Sequence, residues 1–497
     1  MNRIKLISLA LLIVLIAGCD DDFLEKTPEN QLTQANFPET AADALAATNA
    51  MYELMRQSTY HRGFFPIDDI MSDDAHKGSN GGDAAGTLGP FERFQHTTTN
   101  PFVRNWWRTL YVGVRRTNVV LSRVPDVEMD EALKNRYLGE ARFLRALYYS
   151  DLARAYGGVP LVTSSSTEAN KTRSSLEQTY DLIEGDLRLA ISLLPEKSDY
   201  SDDDLGRATR GAARALLSRV YLYQNQYDSA IFFGEEVIAS GLYDLENQFE
   251  EAFDEAFEFG IESVFEIGGI GEDGGVGAGA NEYALAQGVR GTPNRGFGFN
   301  RPTLDLINSF EANDPRMEAT VIFLGETIDG ITIIGDTGTP DETFNGDGEL
   351  VERETYSEKI WTTGTTVSSS QGHNRRLIRY AEVLLNVAEA YANSGNVPQA
   401  ITYLEEVRAR ARQGNIGILP EITETDPVLL SDLIIEERRH ELAMEGFRFW
   451  DLVRTGKAAE VLGPLGFEVN KHELLPIPQT ERDITQGALT QNPGWSQ

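Results

Sequence analysis

Two stretches of this chain, residues 207–240 and 377–412, carry the same helix–turn–helix pattern, and no other feature limits the possible folds as strongly. A shift of 170 residues places Tyr221 on Tyr391, Ala230 on Ala400, Ile231 on Ile401, and Glu235-Glu236-Val237 on Glu405-Glu406-Val407. Each stretch reads as two amphipathic helices, split at Asn225-Gln226 in the first and at Ser394-Gly395-Asn396 in the second. Small residues where two helices cross, with an aromatic closing the first helix, are what a tightly packed helical hairpin requires.

The unit is similar to a tetratricopeptide repeat, which is about 34 residues long. Helical spacing also runs through 40–56 (Ala41, Leu45, Thr48, Tyr52, Met55), Leu110–Val124, Glu140–Tyr156 and Leu176–Leu194. Gly157-Gly158 with Pro160 closes the third of these, and Pro195 closes the fourth. Segment 140–194 and the helix around Tyr52 are therefore further, divergent hairpin material. Because these units are not contiguous, the expectation is a broken array rather than one regular solenoid. Residues 57–103, 268–300 and 325–372 break the pattern with Gly, Asp, Asn, Thr and aromatics, predicting long loops and short strands. The fold class is mainly α, with tetratricopeptide-like hairpins, long irregular loops and a few short strands.

Charge and cysteine count narrow the function. The 497 residues hold 44 Lys+Arg against 77 Asp+Glu, a net charge of −33, which opposes binding to a phosphate backbone. A single Cys excludes an intrachain disulfide framework and a four-cysteine zinc site. That cysteine, Cys19, follows Arg3, Lys5, an apolar run from Leu6 to Ile16, and Ala17-Gly18. The run is too short to span a bilayer and long enough for a signal-peptide core. The pattern resembles a bacterial lipobox, with Cys19 as the lipidated mature N-terminus. Asp20-Asp21-Asp22 resemble the acidic stretch that sends such lipoproteins to the cell surface. Removing 1–18 would take the charge to about −35. The expected divisions are a signal peptide over 1–18, a helical region over 19–240, a loop-rich ligand-binding region over 241–376, and a last hairpin-bearing region over 377–497.

Catalytic patterns are sparse. His440-Glu441 and His472-Glu473 begin as HE pairs, but neither has a second His four residues after the first, so a metalloprotease zinc grip is absent. Gly269–Gly274 spells GxGxxG after a strand-like Ser263–Ile267, yet Glu272 and Asp273 would repel a pyrophosphate. Asp341, Thr343, Asn345, Gly346, Asp347, Glu349 and Glu352 fall at EF-hand ligand positions. Gly338 and Pro340 argue against the entering helix, so an acidic surface loop stands beside calcium binding. No cofactor or metal is implied elsewhere, and no catalytic residue is assigned.

The C-terminal stretch Glu437-Arg438-Arg439-His440-Glu441-Leu442-Ala443-Met444-Glu445-Gly446-Phe447-Arg448-Phe449-Trp450-Asp451-Leu452-Val453-Arg454 pairs acids with bases three apart: Glu436/Arg439, Glu445/Arg448 and Asp451/Arg454. Such density on apolar helices reads as a structural ion-pair network. The stretch resembles the hallmark of the SusD/RagB family of surface nutrient-binding lipoproteins. Asp22–Glu25, Trp107 to Leu121, Glu140–Leu161, Pro302-Thr303, Asp314-Pro315-Arg316 and Arg379–Leu385 are similar to further segments of that family, in order.

The resemblance implies a binding protein without catalysis, lipid-anchored at the outer membrane. It implies capture of oligosaccharides, or of peptides in the RagB branch, for a SusC-like TonB-dependent transporter. A surface glycoside hydrolase and a pure protein scaffold are the rival classes. A sugar site needs aromatic faces and planar polar groups. The loops supply Asp73, Asp74, Phe91 and Phe94, then Tyr283, Arg295, Phe297 and Phe299, then Trp361, with Trp106 beside them. The expected ligand-binding set is Asp73, Asp74, Trp106, Tyr283, Arg295, Phe299 and Trp361.

Overall fold

The structure, a computed structural model, describes residues 37–165, 172–269, 282–362 and 372–496. Cys19 with its leader, and all but Gly269 of the GxGxxG run, lie outside the described residues. Helices α1 (Ala41–Arg56), α2 (Ser58–Asp68), α3 (Pro101–Arg123), α4 (Glu131–Tyr156), α5 (Leu176–Leu193), α6 (Arg210–Tyr223) and α7 (Tyr227–Ile238) come first. After a long excursion follow α8 (Tyr380–Asn393), α9 (Val397–Arg412), α10 (Pro427–Glu441) and α11 (Arg448–Arg454). Among the described residues no helix is long and apolar enough to cross a membrane.

Capping explains where several helices begin. Thr40 with Asp43 and Ser175 with Gln178 form capping boxes on α1 and α5. Helices α3 and α4 each start nine residues before the positions that periodicity suggests. In α3 the Asn100 side chain accepts from the Phe102 N–H and Pro101 opens the first turn; in α4 the Asp130 side chain accepts from the Leu133 N–H. Gly157, at φ +75°, ends α4.

From α3 onward each helix packs on the next: α3 on α4, α4 on α5, α5 on α6, α6 on α7, α7 on α8 and α8 on α9, with α10 against α8. The expected broken array is thus interrupted along the chain and continuous in space, because α7 docks directly on α8. Gly234 makes that approach possible: a Cβ there would lie 2.2 Å from Val387 Cγ2. The aligned tyrosines do equivalent work. Tyr221 on α6 donates to Glu184 on α5 (2.6 Å), and Tyr391 on α8 donates to Glu235 on α7 (2.9 Å).

Residues 239–379, the excursion, leave and re-enter the array through one antiparallel ladder, Ser263–Ile267 with Arg375–Arg379. The other ladders are Ala75–Gly78 with Phe299–Pro302, Val321–Phe323 with Thr355–Ser357, Thr327–Ile328 with Ile331–Thr332, and Glu342–Phe344 with Leu350–Arg353. The last of these corrects the EF-hand match. The acidic run forms a hairpin whose turn is folded by Asn345 Oδ1, which accepts from the N–H groups of Asp347 and Glu349. Glu352, the expected bidentate ligand, is paired with Arg301 at 2.5 Å. Two of the expected ligands are thus engaged elsewhere, Asn345 in the turn and Glu352 with Arg301, and no helix enters the loop to shape it as an EF-hand does.

The C-terminal signature packs as a network, but not through the local pairs that its spacing suggests. Only Asp451/Arg454 forms (2.7 Å). The helix stops at Glu441, Met444 and Gly446 take positive φ (+63° and +86°), and a new helix starts at Arg448. Glu445 and Arg448 therefore do not share a helix face. Glu445 turns to Arg379 and Lys359 (2.8 Å each), and Arg448 turns to Asp73 (2.9 Å). Five buried cations, Arg316, Lys359, Arg379, Arg408 and Arg410, interlock with five buried carboxylates, Glu262, Asp314, Glu437, Glu441 and Glu445. Burial alone would raise the Glu441 carboxyl, but Arg410, Arg379, Arg316 and Lys359 hold it far below the ordinary carboxylate range.

The tail closes over an aromatic nest. His96 stacks on Phe91 at 4.8 Å and lies 5.1 Å from Trp495, which is also 5.3 Å from His472. Burial, followed by the charge of the other histidine, lowers His96 to about 3; burial, followed by Lys471, lowers His472 to about 4. Both pKa values are depressed below the unfolded value near 6.5, so their stabilising effect is complete above that pH and is lost as the pH falls towards 4. A His96→Phe variant is expected to lose less stability than wild type between pH 7 and pH 4.5. Urea-unfolding midpoints at the two pH values check this, and equal losses would refute it.

Candidate ligand-binding loops

The excursion and the segment after α2 meet in a layer of loops. The Ala75–Gly78 ladder joins the first loop to the second, and Thr355 Oγ1 donates to the Pro302 carbonyl (2.8 Å), joining the second to the third. Beneath them Val289, Ile322, Ile333 and Tyr356 form a small apolar core of their own. The second loop coils so tightly that side chains are excluded. A Cβ on Gly296 would lie 2.5 Å from the Leu285 carbonyl oxygen, and one on Gly291 would lie 2.0 Å from that of Gly335.

Polar side chains fasten this layer. Lys77 Nζ donates to three carbonyls of its own loop, Gly78 (2.7 Å), Asn80 (3.1 Å) and Asp83 (3.0 Å), and lies 5.9 Å from the Phe299 ring centre. Arg290 joins all three loops: it pairs with Asp336 (2.7 Å) and Asp83, and donates to Ser79 Oγ (2.8 Å). Asn80 Nδ2 donates to the Gly338 carbonyl (3.2 Å). Phe297, 38% exposed, precedes Gly298, whose carbonyl accepts from the Ser79 N–H. An exposed ring thus belongs to the same loop layer as a guanidinium, two carboxylates and a carboxamide.

At another edge of the same small core, Trp361 is half-buried. Its indole Nε1 donates to Asp329 Oδ2 (2.8 Å), and the Arg295 guanidinium lies 3.7 Å from the ring centre. Arg295 also donates to the Thr362 carbonyl. The ring is held in one orientation by a stacked cation and an edge hydrogen bond. The enclosed space behind it is only about 10 Å³, so a ligand meets this tryptophan from outside.

Of the seven expected residues, Phe299 and Trp361 are half-buried and the other five are buried. Asp73 is paired with Arg448 (2.9 Å) and Arg439 (3.0 Å), and Asp74 with Arg439 (2.7 Å). Trp106 packs on Tyr60 with ring centres 5.2 Å apart. Tyr283 lies 4.9 Å from the Arg375 guanidinium. Arg290, Asn80, Asp83, Asp329 and Asp336 went unnoticed in the sequence. Their only signals are turn motifs: Asn80-Gly81-Gly82-Asp83, Arg290-Gly291-Thr292-Pro293, Asp329-Gly330 and Gly335-Asp336.

Comparison with known proteins settles the lineage of this architecture. The sequence profile described as "Starch-binding associating with outer membrane" (SusD-like) matches residues 22–222, and that of the SusD family matches residues 262–495. A solved structure described as a laminarin-binding SusD-like protein is 31% identical, covers 92% of this chain and 100% of its own, and superposes with a TM-score of 0.76. The chain belongs to the SusD/RagB family. Other similar proteins can be set beside it. "SusD-like protein P2" of Formosa agariphila is 27% identical over 523 residues, 100% of both chains. A surface glycan-binding protein A from Bacteroides thetaiotaomicron, solved in complex with laminarihexaose, is 26% identical with a TM-score of 0.75, covering 91% of this chain and 99% of its own. Membership in the SusD family associates the chain with the outer membrane.

Proposed function

We propose that this chain captures a neutral oligosaccharide at the cell surface, anchored through lipidated Cys19, and delivers it to a SusC-like TonB-dependent transporter. It acts as a binding protein and not as an enzyme. The segment 241–376 supplies most of the ligand surface. The observation that carries this reading is the loop layer itself, where Phe297 and Trp361 present rings and Arg290, Asp83, Asp336 and Asn80 present planar polar groups. Sugar C–H faces stack on such rings, while hydroxyls pair with such groups. Asp83 and Asp336 share Arg290 between them, an arrangement that suits hydroxyl recognition better than the general-acid and nucleophile roles of a hydrolase.

Two solved structures similar to this one, a SusD-like protein and a surface glycan-binding protein, are described with laminarin and laminarihexaose, which makes a neutral glucan the first ligand to test. The strongly negative chain weighs in the same direction, against anionic polymers. Isothermal titration with laminarihexaose is expected to show saturable binding without product release. Trp361→Ala and Phe297→Ala are each expected to weaken it about tenfold, the loss of about 1.4 kcal/mol of stacking. Unchanged affinity in both variants would refute this placement of the site. A protein that retains no glycan on affinity gels would refute the function.

A further inference from the structure

A second constellation lies away from the loop layer, on the outer side of the C-terminal signature. Glu437 and His440 stand three residues apart on α10 and so share one face, and Glu311, just beyond the short helix Leu304–Ser309, meets them. One ligand atom from each of the three lies within 4.8 Å of the other two. His440 is only 5% exposed, and neither ring nitrogen has a hydrogen-bond partner among the described residues. Its ring is fixed by stacking on Phe310, with centres 4.9 Å apart and planes at 25°. A buried imidazole with both nitrogens unsatisfied costs free energy unless something binds there.

We propose that Glu311, Glu437 and His440 form a site for one divalent transition-metal cation such as Zn²⁺ or Co²⁺. One imidazole nitrogen with two carboxylate oxygens is a donor set that suits such ions. Glu-x-x-His on one helix is also a spacing that metal-binding helical bundles use. The site opens onto a groove walled by Leu404, Ile422 and Leu433, which gives the ion a route in and leaves a fourth position for water.

Arg408 is the competitor. Its Nη1 lies 2.7 Å from Glu311 and 2.6 Å from Glu437, bridging the carboxylates that the metal would join, while Arg316 holds the other oxygen of Glu437. Metal binding exchanges one bridge for the other and leaves Arg408 with the Glu405 carboxylate (3.8 Å) and the Pro420 carbonyl (3.1 Å). Ligand atoms around a tetrahedral ion stand about 3.4 Å apart, so the cluster must close by about an ångström. Glu311, whose side chain is 38% exposed, has the freedom to supply that movement.

The test is titration of the metal-stripped full chain with Co²⁺ and Zn²⁺ at pH 7. One ion per chain is expected to bind, with Co²⁺ developing the visible absorption of a low-coordinate site. His440→Ala should abolish both signals. Glu311→Gln, at a half-exposed position that does not endanger folding, should weaken binding at least tenfold while leaving laminarihexaose affinity unchanged. Absence of saturable binding, or binding that survives His440→Ala, would overturn the proposal.

Discussion

Glu441→Gln is expected to destabilise the fold by about 3–5 kcal/mol, the range found when one partner of a buried ion pair is removed and its counter-charge is left behind. The residue is fully buried and is reached by Arg316 (3.2 Å), Arg379 (3.2 Å) and Arg410. The substitution keeps the side-chain volume, so no cavity contributes to the effect. The five cations and five carboxylates of the network balance, and the variant leaves one positive charge uncompensated in a medium that solvates it poorly. A second substitution separates this account from simple loss of hydrogen bonds. Arg410 has Glu262 (3.0 Å) and Glu441 as its carboxylate partners. Arg410→Met combined with Glu441→Gln restores four against four, and the pair should be less destabilised than Glu441→Gln alone. Urea-unfolding midpoints of the three proteins measure both statements. A cost under 1 kcal/mol for the single variant would show that the network is solvated more freely than its burial implies.

Gly291→Ala should abolish glycan retention while shifting the melting of the helical array much less. The position combines φ of +88° with a Cβ that would lie 2.0 Å from the Gly335 carbonyl oxygen. Both partners are backbone, so no side chain can swing aside, and the second and third loops must part. Arg290, next in the chain, then loses its alignment with Asp83 and Asp336. Affinity gels containing laminarin and a thermal melt of the same preparation read the two effects separately. Retained binding would show that these two loops do not build the ligand surface.

The helical array was legible because its signal is local. Periodicity and caps are read within single helices, and the Tyr221/Tyr391 equivalence compares two self-contained units of about 34 residues each. What stayed hidden is relation at a distance. Nothing in residues 239–379 announces that α7 docks on α8, since the evidence is one glycine facing one valine across that gap. Charge pairing misled for a similar reason. Spacing of three suggests local pairs only while a helix continues, and the backbone reverses at Met444 and Gly446. Asp73 and Asp74 look like loop carboxylates from sequence, and in the fold they neutralise arginines more than 360 positions away. In the loop layer, aromatic residues in Gly- and Thr-rich stretches were the visible feature, and the fold leaves Phe297 exposed and Phe299 and Trp361 half-buried. Arg290 shows only a turn motif, because its meaning lies in three segments that meet only after folding.

The neck of the excursion has a consequence for how such a protein diversifies. Ser263–Ile267 and Arg375–Arg379 run side by side, so the points of exit and return are neighbours whatever lies between them. Distal to that ladder, the loops can change length and chemistry without altering the spacing of the helices below, provided that Asp314, Arg316 and Lys359 keep their places in the buried charge network. Glu262 and Arg379, at the ladder's edge, belong to the buried charge network and fix the mounting. The scaffold therefore behaves as a socket with a defined fitting, which can hold differently built loop heads while the frame beneath them is fixed by its own electrostatics.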